Sequence, residues 1–347
     1  MESILVTGGC GFIGSHFVRL LCAENEFRAV NLDKLTYAGN LENLADIAGG
    51  FRFVRGDIAD RELVDRILKE ERPWAVVNFA AESHVDRSIL DAEPFLQTNI
   101  DGVRVLLEAV RQTAVKRFLH VSTDEVYGDR EGQEAAGEAS ALSPRSPYAA
   151  SKAGADLLCL AYRRTYNLPV VITRSSNNYG PFQFPEKLIP LCIRNALGGA
   201  KLPVYGDGGQ LRDWLYVEDN CRAILAVLKR AEPGSIYNIG TGGEGKNLDV
   251  VRAICRAVAQ QTGQDLEKLE RNIEFVTDRP GHDRRYALNT DKIKRELGWS
   301  AQTEFAAGLE STVRWYLSHP EWIARVTSGE YQKYYETIYS QNWGRGS

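Results

Sequence analysis

At 347 residues the chain is long enough to bury a full hydrophobic core, either as one large α/β domain or as a nucleotide-binding domain with a smaller partner. Hydrophobic residues make up 44% and charged residues 25%, with a formal net charge of −4, which excludes a low-complexity chain and gives no global attraction to nucleic acid or an anionic membrane. No apolar run approaches the roughly 20 residues of a membrane span, and the N-terminus lacks the basic stretch, apolar run and cleavage site of a signal peptide.

Up to about residue 180, short β-branched runs alternate with helical patterns: Ile4 to Thr7, Ala29 to Leu32, Arg52 to Arg55, Ala75 to Phe79, Phe118 to Ser122 and Val170 to Thr173. Such alternation implies βαβ units and a doubly wound parallel sheet, an α/β fold. One expected helix runs from Asn99 to about Gln112, carrying Val103, Leu106, Leu107 and Val110. A second runs from Pro147 to about Tyr166, carrying Ala153, Leu157, Leu158 and Leu160. Their apolar stripes read first as core packing, with a dimer seam as the lesser reading. Beyond residue 180 the pattern is broken by Gly180-Pro181, Gly198-Gly199, Gly206 to Gly209 and Gly240 to Gly243. The expected division is therefore residues 1–180 as the dinucleotide-binding domain, with some later segments returning to it, and 181–347 as mainly a smaller substrate-binding portion.

Thr7-Gly8-Gly9-Cys10-Gly11-Phe12-Ile13-Gly14 follows the first strand and opens a helix. Gly8 permits a tight turn, Gly11 lets backbone approach a pyrophosphate and Gly14 allows helix to pack on strand, while the helix N-terminus offers free N–H groups to phosphates. The second strand ends in Asp33, about 20 residues after the glycines, where a carboxylate holds the adenosine ribose hydroxyls and repels a 2′-phosphate. That favours NAD over NADP, with Lys34 following immediately. Asp57, after the third strand, is read either as an adenine contact or as a helix N-cap.

Tyr148-Ala149-Ala150-Ser151-Lys152 places a phenol and an ammonium on one face of a helix started by Ser146-Pro147. A phenol with a pKa of about 10 is a poor base at neutral pH, and a nearby cation favours its ionised form. The strand before it ends Thr123-Asp124-Glu125, at the carboxyl edge where open α/β sheets bind ligands. Two adjacent acids there are either solvated loop residues or an acid and a base held in different environments.

Several runs carry a resemblance: Ala80 to Ser88, Ser122 to Gly128, Tyr148 to Lys152, Asn177-Asn178-Tyr179-Gly180-Pro181, Pro185-Glu186-Lys187-Leu188, Arg212-Asp213-Trp214 and Asp278 to Asp283. Together they resemble the dTDP-glucose 4,6-dehydratase family, within the extended short-chain dehydrogenase/reductase superfamily, from the first strand almost to the C-terminus. The resemblance implies a Rossmann-type fold, NAD as cofactor and a homodimer built through the two helices above. It also implies a mechanism. Tyr148, supported by Lys152, takes the sugar O4 proton while the C4 hydride passes to NAD, and Thr123 assists at O4. Glu125 then removes the C5 proton, protonated Asp124 protonates the departing C6 hydroxyl, and hydride returns to C6.

For NAD the resemblance points to Phe12, Ile13, Asp33, Lys34, Leu35, Thr36, Asp57, Ile58, Phe79, Ala80, Ala81, Ser83, Thr98, Tyr148, Lys152 and Asn178. For the nucleotide sugar it points to Ser83, Thr123, Asn177, Lys187, Leu188, Pro203, Val204, Tyr205, Arg212, Asn247, Arg279 and His282. Arg212 and Arg279 have planar donor forks suited to a diphosphate, or else serve in structural ion pairs. His84 reads as a structural group, and His16 has no assigned task. Two departures stand out: Cys10 replaces the family's usual Ala, and Gly240 to Asn247 differs from its usual Gly-Gly-x-Asn-Glu-x-x-Asn run.

Alternatives are a UDP-glucose 4,6-dehydratase, a nucleotide-sugar 4-epimerase, which would not need the acid pair, and a catalytically silent dinucleotide sensor. Six cysteines, Cys10, Cys22, Cys159, Cys192, Cys221 and Cys255, follow no metal or disulfide spacing. A reducing cytoplasm, no metal, no nucleic-acid partner and no membrane partner are expected.

Overall fold

The computed structural model describes residues 1–327; the last part of the 181–347 portion expected from sequence lies outside them. All six expected strands form: β1 (Ser3–Thr7), β2 (Arg28–Asp33), β3 (Phe51–Arg55), β4 (Ala75–Asn78), β5 (Arg117–Thr123) and β6 (Val170–Ser175). Between them lie α1 (Phe12–Glu24), α2 (Arg61–Glu71), α3 (Val85–Leu90), α4 (Glu93–Leu96), α5 (Val103–Arg111) and α6 (Pro147–Tyr166). Further along come β7 (Asn177–Tyr179), α7 (Leu188–Leu197), β8 (Leu202–Tyr205), β9 (Leu211–Arg212), β10 (Trp214–Tyr216), α8 (Val217–Arg230) and β11 (Ile236–Ile239). The described chain closes with β12 (Gly245–Lys246), α9 (Asn247–Thr262), α10 (Leu266–Arg271), β13 (Ile273–Val276), α11 (Asp291–Leu297), α12 (Phe305–Ser318) and α13 (Pro320–Val326).

The main sheet has seven strands in the order β11-β6-β5-β4-β1-β2-β3, every pairing parallel. It is a doubly wound, Rossmann-type α/β sheet. Both faces are covered, so the strands alternate between two apolar layers: Ile4, Val6, Val77 and Leu119 face one, with α1 and α8, whereas Leu5, Val76 and Phe118 face the other, with α2, α5 and α6. Strand order reverses between β1 and β4, and the crevice beyond their carboxyl ends is where such sheets take ligands. A third apolar core, formed by α7, α9, α12 and β8 around Ile193, Ile254 and Tyr316, walls the far side of that crevice.

The helix expected from Asn99 starts differently. A single π turn, Gln97–Gly102, runs from α4 into α5, and it holds Asn99 fully buried. There the Asn99 side chain bonds both backbone groups of Glu82 (2.9 and 3.0 Å) and the Ser151 hydroxyl (2.8 Å). The local bulge buys an inward amide that regular helical spacing would not present. On α6, Ser146 caps Ala149 N–H at 3.1 Å with Pro147 in the first turn, the expected start. Of its stripe, Ala153 is buried and Leu157 is 58% exposed.

Candidate active site

Two adjoining clefts open at the carboxyl edge of the sheet and share a wall that includes Ser83, Tyr148, Glu186 and Lys187. The first is lined by the glycine turn (Gly8, Gly11, Phe12, Ile13 and Gly14), by Asp33, Lys34, Thr36, Asp57, Ile58, Phe79, Ala80, Ala81, Ser83 and Thr98, and by Tyr148 and Lys152. Gly8 has φ +71°, and a Cβ there would lie 2.6 Å from Ala80 N; one on Gly14 would lie 2.2 Å from Gly8 O. The α1 N-terminus at Gly11 has no side-chain cap and no acid in its first turn, leaving a positive dipole end toward the cleft.

Asp33 is buried, and its two oxygens accept from Cys10 N–H and Leu35 N–H, each at 2.8 Å. Each oxygen keeps a lone pair for a further donor. Cys10 is accommodated, its thiol fully buried beside the Asn31 amide at 3.2 Å. Lys34 pairs with Asp57 at 2.6 Å. The N-cap of α2 is Asp60, bonded to Leu63 N–H, so Asp57 is not that cap; it closes a turn on Ala59 N–H instead.

Two expected cofactor residues stand elsewhere. Leu35 is not on the wall of either cleft: with φ +57° its side chain packs on the apolar layer around α1. Asn178 faces the second cleft rather than the first, its amide tied to Ser176 O (2.9 Å) and Asn220 (2.8 Å).

The second cleft brings together Thr123, Asp124, Glu125 and Tyr148 with Ser83, Asn177, Lys187, Leu188, Pro203, Val204, Tyr205, Arg212, Asn247, Arg279 and His282. Thr123 ends β5 and caps the short turn that follows, so both acids project from the sheet edge. Burial first, and then the charge of Glu125, push the Asp124 carboxyl up to about 8; burial likewise raises Glu125, against Arg279, Lys187 and Arg212. Asp124 Oδ2 and Glu125 Oε2 are buried with no hydrogen-bond partner among the described residues. Tyr148 is raised by burial and by Glu125, with the Thr123 hydroxyl pulling the other way. Lys152 Nζ donates to Val121 O at 2.7 Å.

The two arginines differ. Arg212 is buried, donates to Leu211 O and Asp283 O (both 2.8 Å), and lies 4.1 Å over the Tyr286 ring. Arg279 pairs with Asp86 at 2.8 Å, and its Nε has no partner among the described residues. His282 Nδ1 meets Asp278 at 2.6 Å while burial lowers its pKa to about 4. His84 is buried with Nε2 3.4 Å from Glu186 O, and His16 bonds Pro181 O at 3.0 Å. The divergent Gly240 to Asn247 run is anchored by Asp213, which accepts from Thr241 N–H (2.8 Å) and Gly242 N–H (3.2 Å), and by a Glu244–Arg285 fork at 2.6 Å.

The family model described as GDP-mannose 4,6 dehydratase matches residues 5–312. A dTDP-glucose 4,6-dehydratase from Shigella flexneri is 50% identical, covering 97% of this chain and 98% of its own. One from Xanthomonas campestris is 51% identical, covering 96% and 98%. The chain belongs to the dTDP-glucose 4,6-dehydratase family. Among solved structures, the Streptomyces venezuelae dTDP-glucose 4,6-dehydratase with NAD and TYD bound is 48% identical at TM-score 0.88, over 94% of this chain and all (100%) of that one. A Thermotoga maritima UDP-glucose 4-epimerase with UDP-glucose is 30% identical at TM-score 0.83, over 91% and 99%. The fold is thus shared with epimerases, and the distinction from them must come from the site.

Several cleft residues were not singled out from sequence. Glu186 stands on the wall common to both clefts, buried 3.3 Å from Arg87 and pushed by burial up to about 7. Asp86, Gln183 and Trp214 also line the cleft or hold those that do. Asp86, Glu186 and Trp214 lie inside family motifs quoted above. That was their only signal, because hydrophobic periodicity is silent about a buried carboxyl.

Proposed function

We propose that this chain converts dTDP-glucose to dTDP-4-keto-6-deoxyglucose with NAD as cofactor, by oxidation at C4, loss of water across C5 and C6, and reduction at C6. The observation that carries this reading is the buried Asp124–Glu125 pair beside Tyr148, with Lys152 one turn along the same helix, each acid with an oxygen that no described residue satisfies. Alcohol oxidation needs one base and its supporting cation, whereas elimination needs a second base and an acid. An epimerase has no use for two carboxyls kept so costly to ionise.

The first cleft fits NAD: the uncapped α1 N-terminus suits a pyrophosphate, and Asp33 retains a lone pair on each oxygen for the ribose hydroxyls. NAD held there by the glycine turn and Asp33 would supply a hydride acceptor for an alcohol carbon that can afterwards serve as hydride donor. Tyr148 removes the O4 proton, with Thr123 on the same oxygen; burial and Glu125 hold Tyr148 as a phenol, so the positive charge of Lys152 is needed to draw that proton off. The C4 ketone acidifies C5–H. Glu125 takes the C5 proton, and Asp124, still protonated below about pH 8, hands its own to the departing O6; as hydride reaches C6, Glu125 returns a proton exchanged with solvent to C5. Arg212 and Arg279 hold the diphosphate with the donors that their protein partners leave over.

The same proposal extends to assembly and setting. Leu96 on α4 and Leu157 and Tyr166 on α6 are large apolar side chains with 48%, 58% and 48% exposure; we assign them to a homodimer face. The six cysteines are unpaired, in keeping with a reducing cytoplasm. Residues 1–180 form the cofactor portion, joined by later segments such as β11, and those after 180 mainly the substrate portion.

Incubation of purified protein with dTDP-glucose or UDP-glucose in heavy water, without added reductant, tests the reading by mass spectrometry. Loss of water with one solvent deuterium kept at C5 is expected, faster with dTDP-glucose. Inversion at C4 with unchanged mass would make the protein an epimerase.

A further inference from the structure

Beneath the cleft floor lies an ion pair that the proposed chemistry does not use. Asp156 on α6 is completely buried, and Arg174 of β6 donates its Nε–H to the carboxylate at 2.8 Å. Arg174 in turn reaches the Tyr127 hydroxyl at 2.8 Å, and that hydroxyl donates to Asn238 at 2.8 Å. A buried pair of this kind stabilises little, because apolar residues of the same volume would avoid the desolvation cost. Its place is therefore informative. Asp156 follows Lys152 by four positions on α6, so the two side chains share one helix face.

We propose that Asp156 is a positioning residue for Lys152: its carboxylate, fixed by Arg174, keeps Lys152 an ammonium on the cleft floor and thereby keeps Tyr148 able to lose its proton. Among the described residues Lys152 has one hydrogen-bond acceptor, the neutral Val121 carbonyl, and none of them bonds it with an opposite charge. The remaining charged or titratable neighbours do not replace Asp156. From β5, His120 lies with Nε2 3.8 Å from Asp156 and is kept neutral by burial. From β6 comes Arg174, a like charge. On α6 itself, burial holds Cys159 well above its ordinary range, as a thiol. Asp124 and Glu125 in the turn after β5 face Tyr148 and raise it, and the charge of Asp156 raises Tyr148 too, as the smallest of these influences, so its service to the phenol runs through Lys152; Glu108 of α5 is engaged with Tyr162 at 2.6 Å. Burial draws Lys152 down to about 8, and Asp156 is the largest influence opposing it.

The proposal rests on the reading of the site as a C4 oxidant, and the experiment separates the two. With dTDP-6-deoxyglucose, which has no O6 to expel, the enzyme is confined to C4 oxidation; because Asp124 faces Tyr148 and itself titrates near 8, each limb is also recorded in an Asp124→Asn background, which removes that titration. Reduced cofactor then reports the rate by absorbance. Asp156→Asn keeps the shape and an acceptor for Arg174 but removes the charge; the alkaline limb of the oxidation rate is expected to move down by about one pH unit or more. Below that limb the rate should return to within a few-fold of wild type. Asp156→Glu restores the wild-type limb. Arg174→Met, in which the unpaired buried carboxyl takes up a proton, moves the limb the same way and serves if Asp156→Asn does not fold. An unmoved limb, or an equal loss at every pH in a folded variant, overturns the proposal. If the wild type oxidises no dTDP-sugar, the functional reading fails alone. Competitive acetylation of Lys152, followed by peptide mass spectrometry across pH, still decides whether Asp156→Asn lowers the lysine's pKa.

Discussion

Asp124 is a residue whose task works against the fold. Its carboxyl ionises near 3.8 in an unfolded chain but is pushed to about 8 in the folded one. Between those values the folded chain holds a proton that the unfolded chain has lost, so stability falls as pH rises from about 3.8 to about 8 and stays reduced above it. Asp124→Asn removes that burden. Thermal melts are expected to place the variant above wild type at pH 8, with the gap closing toward pH 4, while dehydration of dTDP-glucose slows by roughly 10²- to 10⁴-fold for want of a proton donor. Equal melting temperatures at pH 8 would show that the acid carries no such load. Two neighbouring acids after a β strand were legible in the sequence as a candidate site. Glu186 and Asp156 were not, because a carboxylate facing the interior is spelled like one facing water. The setting of Leu35 was not legible for a related reason: the left-handed turn that lays its half-buried side chain on the apolar layer around α1 leaves no mark beyond the residue itself.

At the scale of elements, strands with both faces buried read as apolar, β-branched-rich runs, and so β1, β2, β4, β5 and β6 could be picked out, with the edge strand β3, none of whose residues is buried, read from its place in the alternation, while β7 to β13 span only two to four residues each and show no usable period. The π turn at Gln97–Gly102 escaped for the same lack of a local signature. The glycine turn was readable because its geometry tolerates nothing else at two positions. Adding one methyl at Gly14 puts a carbon 2.2 Å from a backbone oxygen that cannot retreat without carrying the turn with it. Gly14→Ala is therefore expected to purify with far less bound cofactor than wild type. Release of nucleotide by denaturation, quantified chromatographically, checks this; full occupancy would mean that α1 can lift off the turn.

Across the whole molecule, the acids come from one strand end, the Tyr–Lys pair from one helix, and the arginines from beyond residue 200, on β9 and the segment after β13. Leu157 and Tyr166 are exposed on α6, the helix that carries Tyr148 and Lys152, and Leu96 is exposed at the end of α4, so association through them would brace the site from behind. Leu157→Glu places a charge on that face without touching the core. Light scattering after size exclusion is expected to show wild type as a dimer and the variant as a monomer; a monomeric wild type disposes of the interface.

The order of strands in the main sheet has a consequence for how this protein is made. The edge strand β11 is synthesised well after its neighbour β6, with the whole stretch from β7 to α8 between them. All six residues of β6 are buried in the finished molecule. On the ribosome they stand for a time as an open, apolar sheet edge, the kind of surface on which chains stick to one another. Slow decoding between codons 176 and 236 should thus raise aggregation in the cell with no change in the sequence of the protein.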